Sequence, residues 1–422
     1  MNTLSAHAPA PTPRTQRPGA AARTVLRLLQ LLRHGHLQLH LPHGERLAFG
    51  DSASPMQAVL QVHQWRVFSQ VLRSGDIGFA ESYVAGDWGS PDLAALLRLL
   101  LANRQELQRV IHGSWLGRWT YRLRHLMRRN TRHNSRQNIH AHYDLGNAFY
   151  RLWLDPSMNY SSALFEGQFD LGLQAAQDAK VRRALHMAGV KRGSRVLEIG
   201  CGWGALAEKA CGEFQARLTG VTLSTEQLAF AEQRLQSQGL HTQADLRLQD
   251  YRDIADGPYD AVCSIEMIEA VGQAYWPTYF ERIAQLLKPG GRACIQGIVI
   301  REDLFDQYIR STDFIQQYIF PGGCLPTRTV LIEQARQAGL ELIDDHGFGR
   351  DYAETCRRWR QDFLARREAI LGLGFDERFM RIWEFYLVYC EAGFDAGDID
   401  VAQFSFIRSS ASPTRQTASE SP

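Results

Sequence analysis

Between residues 194 and 300, segments with the apolar pattern of a β-strand alternate along the chain with segments that have the apolar spacing of an α-helix. Apolar runs of strand length occur in SRVLEIG, ARLTGVTLS, ADLRLQD, YDAVCSI and RACIQGIVI. Helical spacing of apolar residues occurs in GALAEKACGEF, TEQLAFAEQRLQSQG and YWPTYFERIAQLL, and KPGG is a predicted turn. Strands that alternate with helices in this way predict an α/β domain, an open and mostly parallel sheet with helices on both faces. A ligand of such a sheet binds beyond the carboxyl ends of its strands.

A different pattern covers residues 24–103. HLQLHLPHGERLAFGD alternates like strands, whereas MQAVLQVHQWRVFSQVL and SPDLAALLRLLLANR have helical periodicity. These segments predict a smaller N-terminal α+β domain, and the large domain is assigned to residues 142–408. Residues 1–23 and 409–422 are rich in small and polar residues and are predicted to be disordered tails.

Residues 104–141 form a basic connector between the two predicted domains. The connector is dense in arginine, contains one acidic residue, Glu106, and interleaves Trp115, Trp119 and Tyr121. Such a segment is either a solvated charged face or a surface that docks on anionic phospholipid.

Composition excludes several classes of protein. The chain has 422 residues and a formal net charge of +2, which implies no overall field for binding nucleic acid. Its seven cysteines are scattered without a C-x-x-C pair, which favours a reducing cytoplasm and argues against a zinc site or a disulfide framework. No apolar run approaches the roughly 18 residues of a spanning helix, and the N-terminus lacks the apolar segment of a signal peptide.

The loop in VLEIGCGWGALAEKA, residues 196–210, is the first candidate for a ligand site. Gly200, Gly202 and Gly204 follow a predicted strand and precede a predicted helix. A bare strand-to-helix turn would explain the glycines alone, but the surrounding α/β pattern favours a nucleotide site.

The next strand argues against a dinucleotide. An NAD site places an acid at the end of this strand to bind the ribose, but here the strand ends in Thr222, Leu223 and Ser224. Further along the chain, Asp250 and Tyr251 end another predicted strand and suit the amino group and the face of an adenine. These residues predict an adenosine ligand without a pyrophosphate.

Gln227 has two interpretations. Ser224-x-x-Gln227 is a capping box for the following helix, and the same glutamine is placed to reach ribose hydroxyls.

Six motifs in one order resemble the cyclopropane fatty acid synthase family of S-adenosylmethionine-dependent methyltransferases, from about residue 36 to about residue 408. They are HYDLGNAFYRLWLDPSMNYSSALFE, VLEIGCGWG, GVTLSTEQ, SIEMIEAVG, YIFPGGCLP and FGRDY. The resemblance implies a Rossmann-like class I methyltransferase fold. It also implies S-adenosylmethionine as the cofactor, bound by the residues above together with Tyr160 and Ser161.

The resemblance also implies a reaction. A lipid alkene attacks the sulfonium methyl group, and aromatic faces stabilise the resulting carbocation. A carboxylate beside this cation would risk alkylation, and the family is thought to use a bound bicarbonate ion as the base. By position, Glu269, Tyr352 and the Ile298 backbone match the family's bicarbonate site.

Two positions depart from the family pattern. Ser162 stands where many members have cysteine, and Gln296 stands where histidine is expected. Both can donate hydrogen bonds to an anion, but neither titrates near neutral pH as histidine does. Cys390 matches a cysteine sometimes designated catalytic, although a buried apolar thiol is the favoured interpretation.

The implied substrates are unsaturated acyl chains of phospholipids, reached by an enzyme on the inner face of the membrane. Ring closure gives a cyclopropane, and a methyl-branched or otherwise modified chain without a ring is the alternative. A lipid-binding protein with a vestigial cofactor loop is the non-enzymatic alternative, against which the intact cofactor motifs count. A homodimer is left open.

Overall fold

The computed structural model describes residues 18–111 and 145–409, with side chains described at 18–107 and 145–409. The chain divides into two compact units, Met1–Ser114 and Trp115–Pro422. Most of the predicted basic connector lies outside the described residues, as do residues 1–17 and 410–422 of the predicted tails. Within the described ranges, no helix combines the length and the apolar character that crossing a bilayer requires.

Within residues 18–111, the first unit has a four-stranded sheet and four helices. Its elements are α1 (Ala20–Leu29), β1 (His36–His40), β2 (Arg46–Gly50), β3 (Gln57–Val62), α2 (Arg66–Val84), β4 (Trp88–Gly89), α3 (Leu93–Ala102) and α4 (Arg104–Ile111). The strand order is β2-β1-β3-β4, with β1 antiparallel to β2 and parallel to β3. The Asp92 side chain caps α3 by accepting from the Ala95 N–H, and Leu96 and Leu99 of α3 are fully buried.

Three sequence-based assignments in this unit differ from the structure. Residues 57–62 were predicted to be helical but form β3, since Ala58, Leu60 and Val62 share one buried face and the strand pairs with β1. Helix α1 begins at Ala20, inside the predicted disordered tail. Helix α4 contacts α1 and α2 and buries Leu107, so ordered structure of the first unit continues past residue 103.

The second unit, described at residues 145–409, contains a seven-stranded sheet. Its helices are α5 (Asn147–Tyr150), α6 (Leu173–Met187), α7 (Ala205–Gly212), α8 (Thr225–Ser237), α9 (Trp276–Leu286), α10 (Glu302–Tyr308), α11 (Phe314–Tyr318), α12 (Arg328–Gln337), α13 (Gly349–Ala365), α14 (Arg367–Gly372) and α15 (Glu377–Asp395). Its strands are β5 (Arg195–Ile199), β6 (Arg217–Thr222), β7 (Ala244–Leu248), β8 (Tyr259–Ile265), β9 (Leu287–Ile300), β10 (Leu340–Gly347) and β11 (Ile399–Arg408).

The strand order β10-β11-β9-β8-β5-β6-β7 confirms the predicted open α/β sheet. Strands β5 to β9 pair in parallel, and β11 inserts antiparallel between β9 and β10. The predicted KPGG turn lies inside β9 as an irregularity, because the β8 register jumps from Leu287 to Arg292.

Strand alternation divides the core into two apolar layers, one on each face of the sheet. Leu197 and Ile199 of β5 pack in the layer that includes α9 and α12. Val196 packs in the opposite layer with α6 and α7. Both faces are therefore covered, and the carboxyl ends of the parallel strands remain as the edge where a ligand can bind.

Candidate active site

The glycine loop after β5 adopts a backbone that requires glycine. Gly200, Gly202 and Gly204 have φ of +84°, +49° and +81°. A Cβ on Gly200 would lie 2.4 Å from the Met267 side chain, whereas the same position on Gly202 meets no atom within 4 Å. Packing against Met267 therefore requires glycine at position 200, whereas the space beside Gly202 is open and can accept a ligand.

A cleft with about 1170 Å³ of space, open to solvent, lies at the carboxyl ends of β5, β6 and β8. Most residues predicted to bind the cofactor line it. They are Tyr160, Ser161, Gly200, Gly202, Thr222, Leu223, Gln227, Asp250 and Tyr251. The other two lie behind the wall, since Ser224 caps α8 and a Cβ on Gly204 would meet the Ala231 Cβ at 2.9 Å.

Gln227 takes part in only half of the predicted capping box. The Ser224 hydroxyl accepts from the Gln227 N–H at 3.3 Å, while the Gln227 Oε1 accepts from the Thr222 hydroxyl at 3.1 Å. The Gln227 amide oxygen is thereby fixed, and its NH2 group is left to donate to a ligand in the cleft.

Asp250 is held by a neighbour that sequence analysis overlooked. Its Oδ1 accepts from the Arg252 backbone N–H at 3.0 Å and from Nε at 2.9 Å, and its Oδ2 pairs with the same guanidinium. The Arg252 guanidinium also lies 5.7 Å from the centre of the Tyr251 ring. Burial raises the pKa of the Tyr251 hydroxyl to about 12, so this residue stays neutral and offers its ring to the cleft.

Glu198, at the end of β5, also lines the cleft and was not singled out from the sequence. Its Oε2 is buried and has no hydrogen-bond partner among the described residues. A buried acceptor with no partner costs free energy unless a ligand donates to it. The amino group of S-adenosylmethionine would supply such a donor, so this wall fits that cofactor.

The residues predicted to hold a bicarbonate ion converge instead on Glu266. The Glu266 Oε1 accepts from the Ser162 backbone N–H and from the Gln296 Nε2, both at 2.8 Å. The Glu266 Oε2 accepts from the Tyr352 hydroxyl at 2.6 Å. Ser162 acts through its backbone, because its hydroxyl donates to the Ala163 carbonyl.

Glu269 and the Ile298 backbone form a separate pair. The Ile298 N–H donates to the Glu269 Oε1, and the Glu269 Oε2 is buried without a partner among the described residues. Burial, and then the charge of Glu266, raise the pKa of Glu269 to about 8. Burial also raises the pKa of Glu266, but the hydrogen bond from Tyr352, the charge of Lys180 and the donors of Ser162 and Gln296 oppose that rise. These contacts favour the carboxylate form at Glu266, while Glu269 keeps its proton at neutral pH.

Two residues missed from the sequence fix the surroundings of Glu266. Gln403 on β11 lies opposite Gln296 on β9, and its Nε2 donates to the Gln296 Oε1 at 3.0 Å. This bond orients the Gln296 amide so that its NH2 group faces Glu266. Lys180 is fully buried, and desolvation lowers its pKa to about 8 against the opposing charge of Glu266.

Aromatic rings surround the same region. The Tyr160 and Tyr386 hydroxyls are hydrogen-bonded at 2.8 Å, and the Trp359 ring lies 5.4 Å from that of Tyr160. The Tyr352 ring stacks on Phe394 at 4.4 Å. Such rings attract a cation by their faces while excluding water.

Cys390 lies near these rings as a neutral thiol. Burial raises its pKa far above that of an ordinary thiol, so it lacks the thiolate character of a nucleophile.

Comparison with known proteins identifies the family. Residues 130–404 match the family model of mycolic acid cyclopropane synthetase. The chain belongs to this family. It is 41% identical to the tuberculostearic acid methyltransferase UfaA1 of Mycobacterium tuberculosis, over 94% of both chains. It is 35% identical to the cyclopropane-fatty-acyl-phospholipid synthase of Escherichia coli K12, over 81% of this chain and 85% of that one.

A solved member of the mycolic acid cyclopropane synthetase family shares the fold. The mycolic acid cyclopropane synthase CmaA1, complexed with SAH and CTAB, superposes with a TM-score of 0.61. The two chains are 30% identical, and the match covers 64% of this chain and 98% of CmaA1. The chain is therefore an S-adenosylmethionine-dependent methyltransferase of the cyclopropane synthase family, as its motifs predicted.

Proposed function

We propose that this chain transfers the methyl group of S-adenosylmethionine to the double bond of an unsaturated fatty acyl chain esterified in a phospholipid. The main observation in support of the proposal is that the predicted cofactor-binding residues and a group of aromatic and acidic residues line the same cleft. The cofactor residues of the glycine loop share that cleft with Tyr160 and Glu266. Aromatic rings beside a buried carboxylate suit a reaction in which an alkene attacks a methyl group and becomes a carbocation.

The residues divide the chemistry as follows. When bound, S-adenosylmethionine supplies an electrophilic methyl group, which the alkene attacks through its π electrons. The rings of Tyr160 and Trp359 stabilise the positive charge that develops on the acyl chain and keep water from adding to it. A base at the Glu266 cluster then removes one proton from the methylated chain.

Two products can follow from that proton loss. If the electrons of a C–H bond of the new methyl group close a ring, the product is a cyclopropane, as in the relative named a cyclopropane-fatty-acyl-phospholipid synthase. If they form a new double bond, the product is a methylated chain without a ring. The relative matched over nearly its whole length is named a methyltransferase, and this favours the second product as a candidate.

Access to membrane phospholipid is proposed to come from the basic connector, residues 104–141. Its arginines and interleaved aromatic residues suit an anionic bilayer surface, and each basic residue at such a surface contributes about 1 kcal/mol.

The test is a reconstituted reaction. Purified protein, S-adenosylmethionine and vesicles of a phospholipid with one double bond per acyl chain are incubated, and the released acyl chains are analysed by mass spectrometry. Both products gain one CH2 unit and have the same mass, so the chains are also hydrogenated under mild conditions before a second measurement. A chain that takes up no hydrogen contains a ring, and one that takes up one H2 has kept an alkene and was methylated without a ring.

The control is protein with Gly202→Val, which should not bind the cofactor. If the wild-type protein binds S-adenosylmethionine but methylates no unsaturated phospholipid, the lipid-alkene proposal is wrong. If it binds vesicles but not the cofactor, a lipid-binding protein replaces the enzyme.

A further inference from the structure

We infer that the Glu266 carboxylate is the base of this enzyme and stands in the place of the bicarbonate ion that the family resemblance implies. The reaction therefore needs no bicarbonate. The inference rests on the proposed function for the nature of the substrate, but the anion site itself can be tested without the lipid.

The first argument is the use of hydrogen-bond donors. Three residues predicted to hold bicarbonate, Ser162, Gln296 and Tyr352, all donate to Glu266 at 2.6–2.8 Å, although Ser162 does so through its backbone N–H and not through the predicted hydroxyl. The fourth, the Ile298 N–H, donates to Glu269. A separate bicarbonate ion would have to compete with a tethered carboxylate for the same donors. The residues present do not fit the ion.

The second argument is the backbone at Glu266. Its φ of +52° lies in the left-handed region, which is unfavourable for a residue with a Cβ and costs glycine almost nothing. The conformation is held by the Glu266 N–H, which donates to the Gln296 carbonyl at 2.8 Å. A glutamate at a position whose backbone suits glycine is explained if its side chain has a function.

The third argument is the balance of charge around the carboxylate. Burial raises the pKa of Glu266, and the Tyr352 hydroxyl and the charge of Lys180 oppose that rise by favouring the carboxylate. Glu269, with a pKa of about 8, remains protonated beside it. Gln296 donates a hydrogen bond to Glu266 but cannot give it a proton. Glu266 also lines the cofactor cleft.

The proton transfer balances without another reactant. After methyl transfer, a C–H bond of the methylated chain breaks and its proton passes to the Glu266 Oε2. The electron pair of that bond closes the ring or forms the double bond and neutralises the carbocation. Oε2 is the freer oxygen, because it accepts one hydrogen bond from Tyr352 whereas Oε1 accepts two. Alkylation of the carboxylate is opposed by these three bonds, which fix both oxygens in place.

The test uses Glu266→Gly and Glu266→Gln in the full-length protein. Glycine suits the backbone conformation and removes only the side chain, so the variant should fold and expose the three donors. Glutamine retains the shape of the side chain but is not a base. Binding of ¹³C-labelled bicarbonate is followed by NMR, and acyl-chain methylation is measured in buffer freed of carbon dioxide, with and without added bicarbonate.

We expect no bicarbonate binding by the wild-type protein or by Glu266→Gln, and saturable binding by Glu266→Gly. In carbon dioxide-free buffer the wild-type protein should keep its full rate. Both variants should lose about 100-fold or more, the usual contribution of a general base. Added bicarbonate should restore only Glu266→Gly.

Several results would overturn the inference. They are saturable bicarbonate binding by the wild-type protein, a wild-type rate that depends on bicarbonate, or full activity of Glu266→Gly without it. If the wild-type protein methylates no lipid at all, the proposed function fails instead, and the NMR titration still decides whether Glu266 fills the anion site.

Discussion

Glu269→Gln should raise the free energy of unfolding, by an amount that grows with pH. Glu269 is buried beside the Glu266 carboxylate, and one of its oxygens has no partner among the described residues. Its pKa rises from an ordinary 4.5 to about 8 in the folded protein. Between these two values the unfolded chain has lost the proton of Glu269 and the folded protein retains it. Stability therefore falls as pH rises through this window.

The magnitude follows from the size of the shift. Each pKa unit corresponds to about 1.4 kcal/mol, so holding Glu269 protonated at pH 7 costs about 3 kcal/mol. Glutamine is neutral at every pH and can still accept from the Ile298 N–H. The difference between variant and wild type should thus be small near pH 4.5, increase by about 1.4 kcal/mol per pH unit and level off above pH 8.

The assay is urea denaturation of both proteins at several pH values between 5 and 8.5. Glu333→Gln is the matched control, since hydrogen bonds from Arg336 and Gln337 lower the pKa of the half-exposed Glu333 to about 2 and the group is ionised throughout this range. Its effect should not change with pH. A pH-independent difference between Glu269→Gln and the wild type would refute the reasoning, because it would mean that Glu269 titrates as an exposed acid does.

Three further predictions concern the cofactor and the membrane. Gly202→Val should abolish S-adenosylmethionine binding in isothermal titration by filling the open side of the loop, whereas Gly239→Val, with a similar positive φ away from the cleft, should leave binding intact. Arg252→Gln should weaken cofactor binding about tenfold or more. It removes the charge-assisted hydrogen bonds that hold Asp250, which are worth about 1.5–3 kcal/mol. Unchanged affinity would exclude Asp250 from the adenine site. Reversing Arg122, Arg128 and Arg129 to glutamate should reduce sedimentation with anionic vesicles but not with neutral ones, and unchanged sedimentation would remove the connector from the docking surface.

The sheet of the second unit was predictable because its strands and helices alternate with distinct periods. Assignments that depended on partners distant in the chain were missed or wrong. Residues 57–62 contain enough apolar positions for either period, and pairing with β1 makes them a strand. The KPGG segment has the composition of a turn and lies within β9 as an irregularity, because continuous pairing with both β8 and β11 begins only at Arg292.

The residues of the candidate site likewise fall into those that a local motif predicts and those that depend on partners distant in the chain. The cofactor residues of the glycine loop follow one another closely in the chain, and a local motif is enough to predict them. Glu266 has no local signal, because its donors Ser162 and Tyr352 lie 104 and 86 residues away. A positive φ at a glutamate cannot be predicted from its neighbours in the sequence. Gln403 is likewise recognisable only from its register opposite Gln296.

The two departures from the family pattern acquire a physical reason once Glu266 is included. The position of Ser162 contributes its backbone N–H to the anion site, so the exchange of its side chain leaves that donor intact. A histidine at position 296 could pass its proton to an adjacent carboxylate and so neutralise the base at the pH where it is needed. Glutamine donates the same hydrogen bond and keeps its proton, and Gln403 fixes its orientation. Ser162, Gln296 and Glu266 are therefore all consistent with a carboxylate base at position 266. Gln296→His alone should lower activity below about pH 7, whereas Gln296→His combined with Glu266→Gly should recover activity when bicarbonate is supplied.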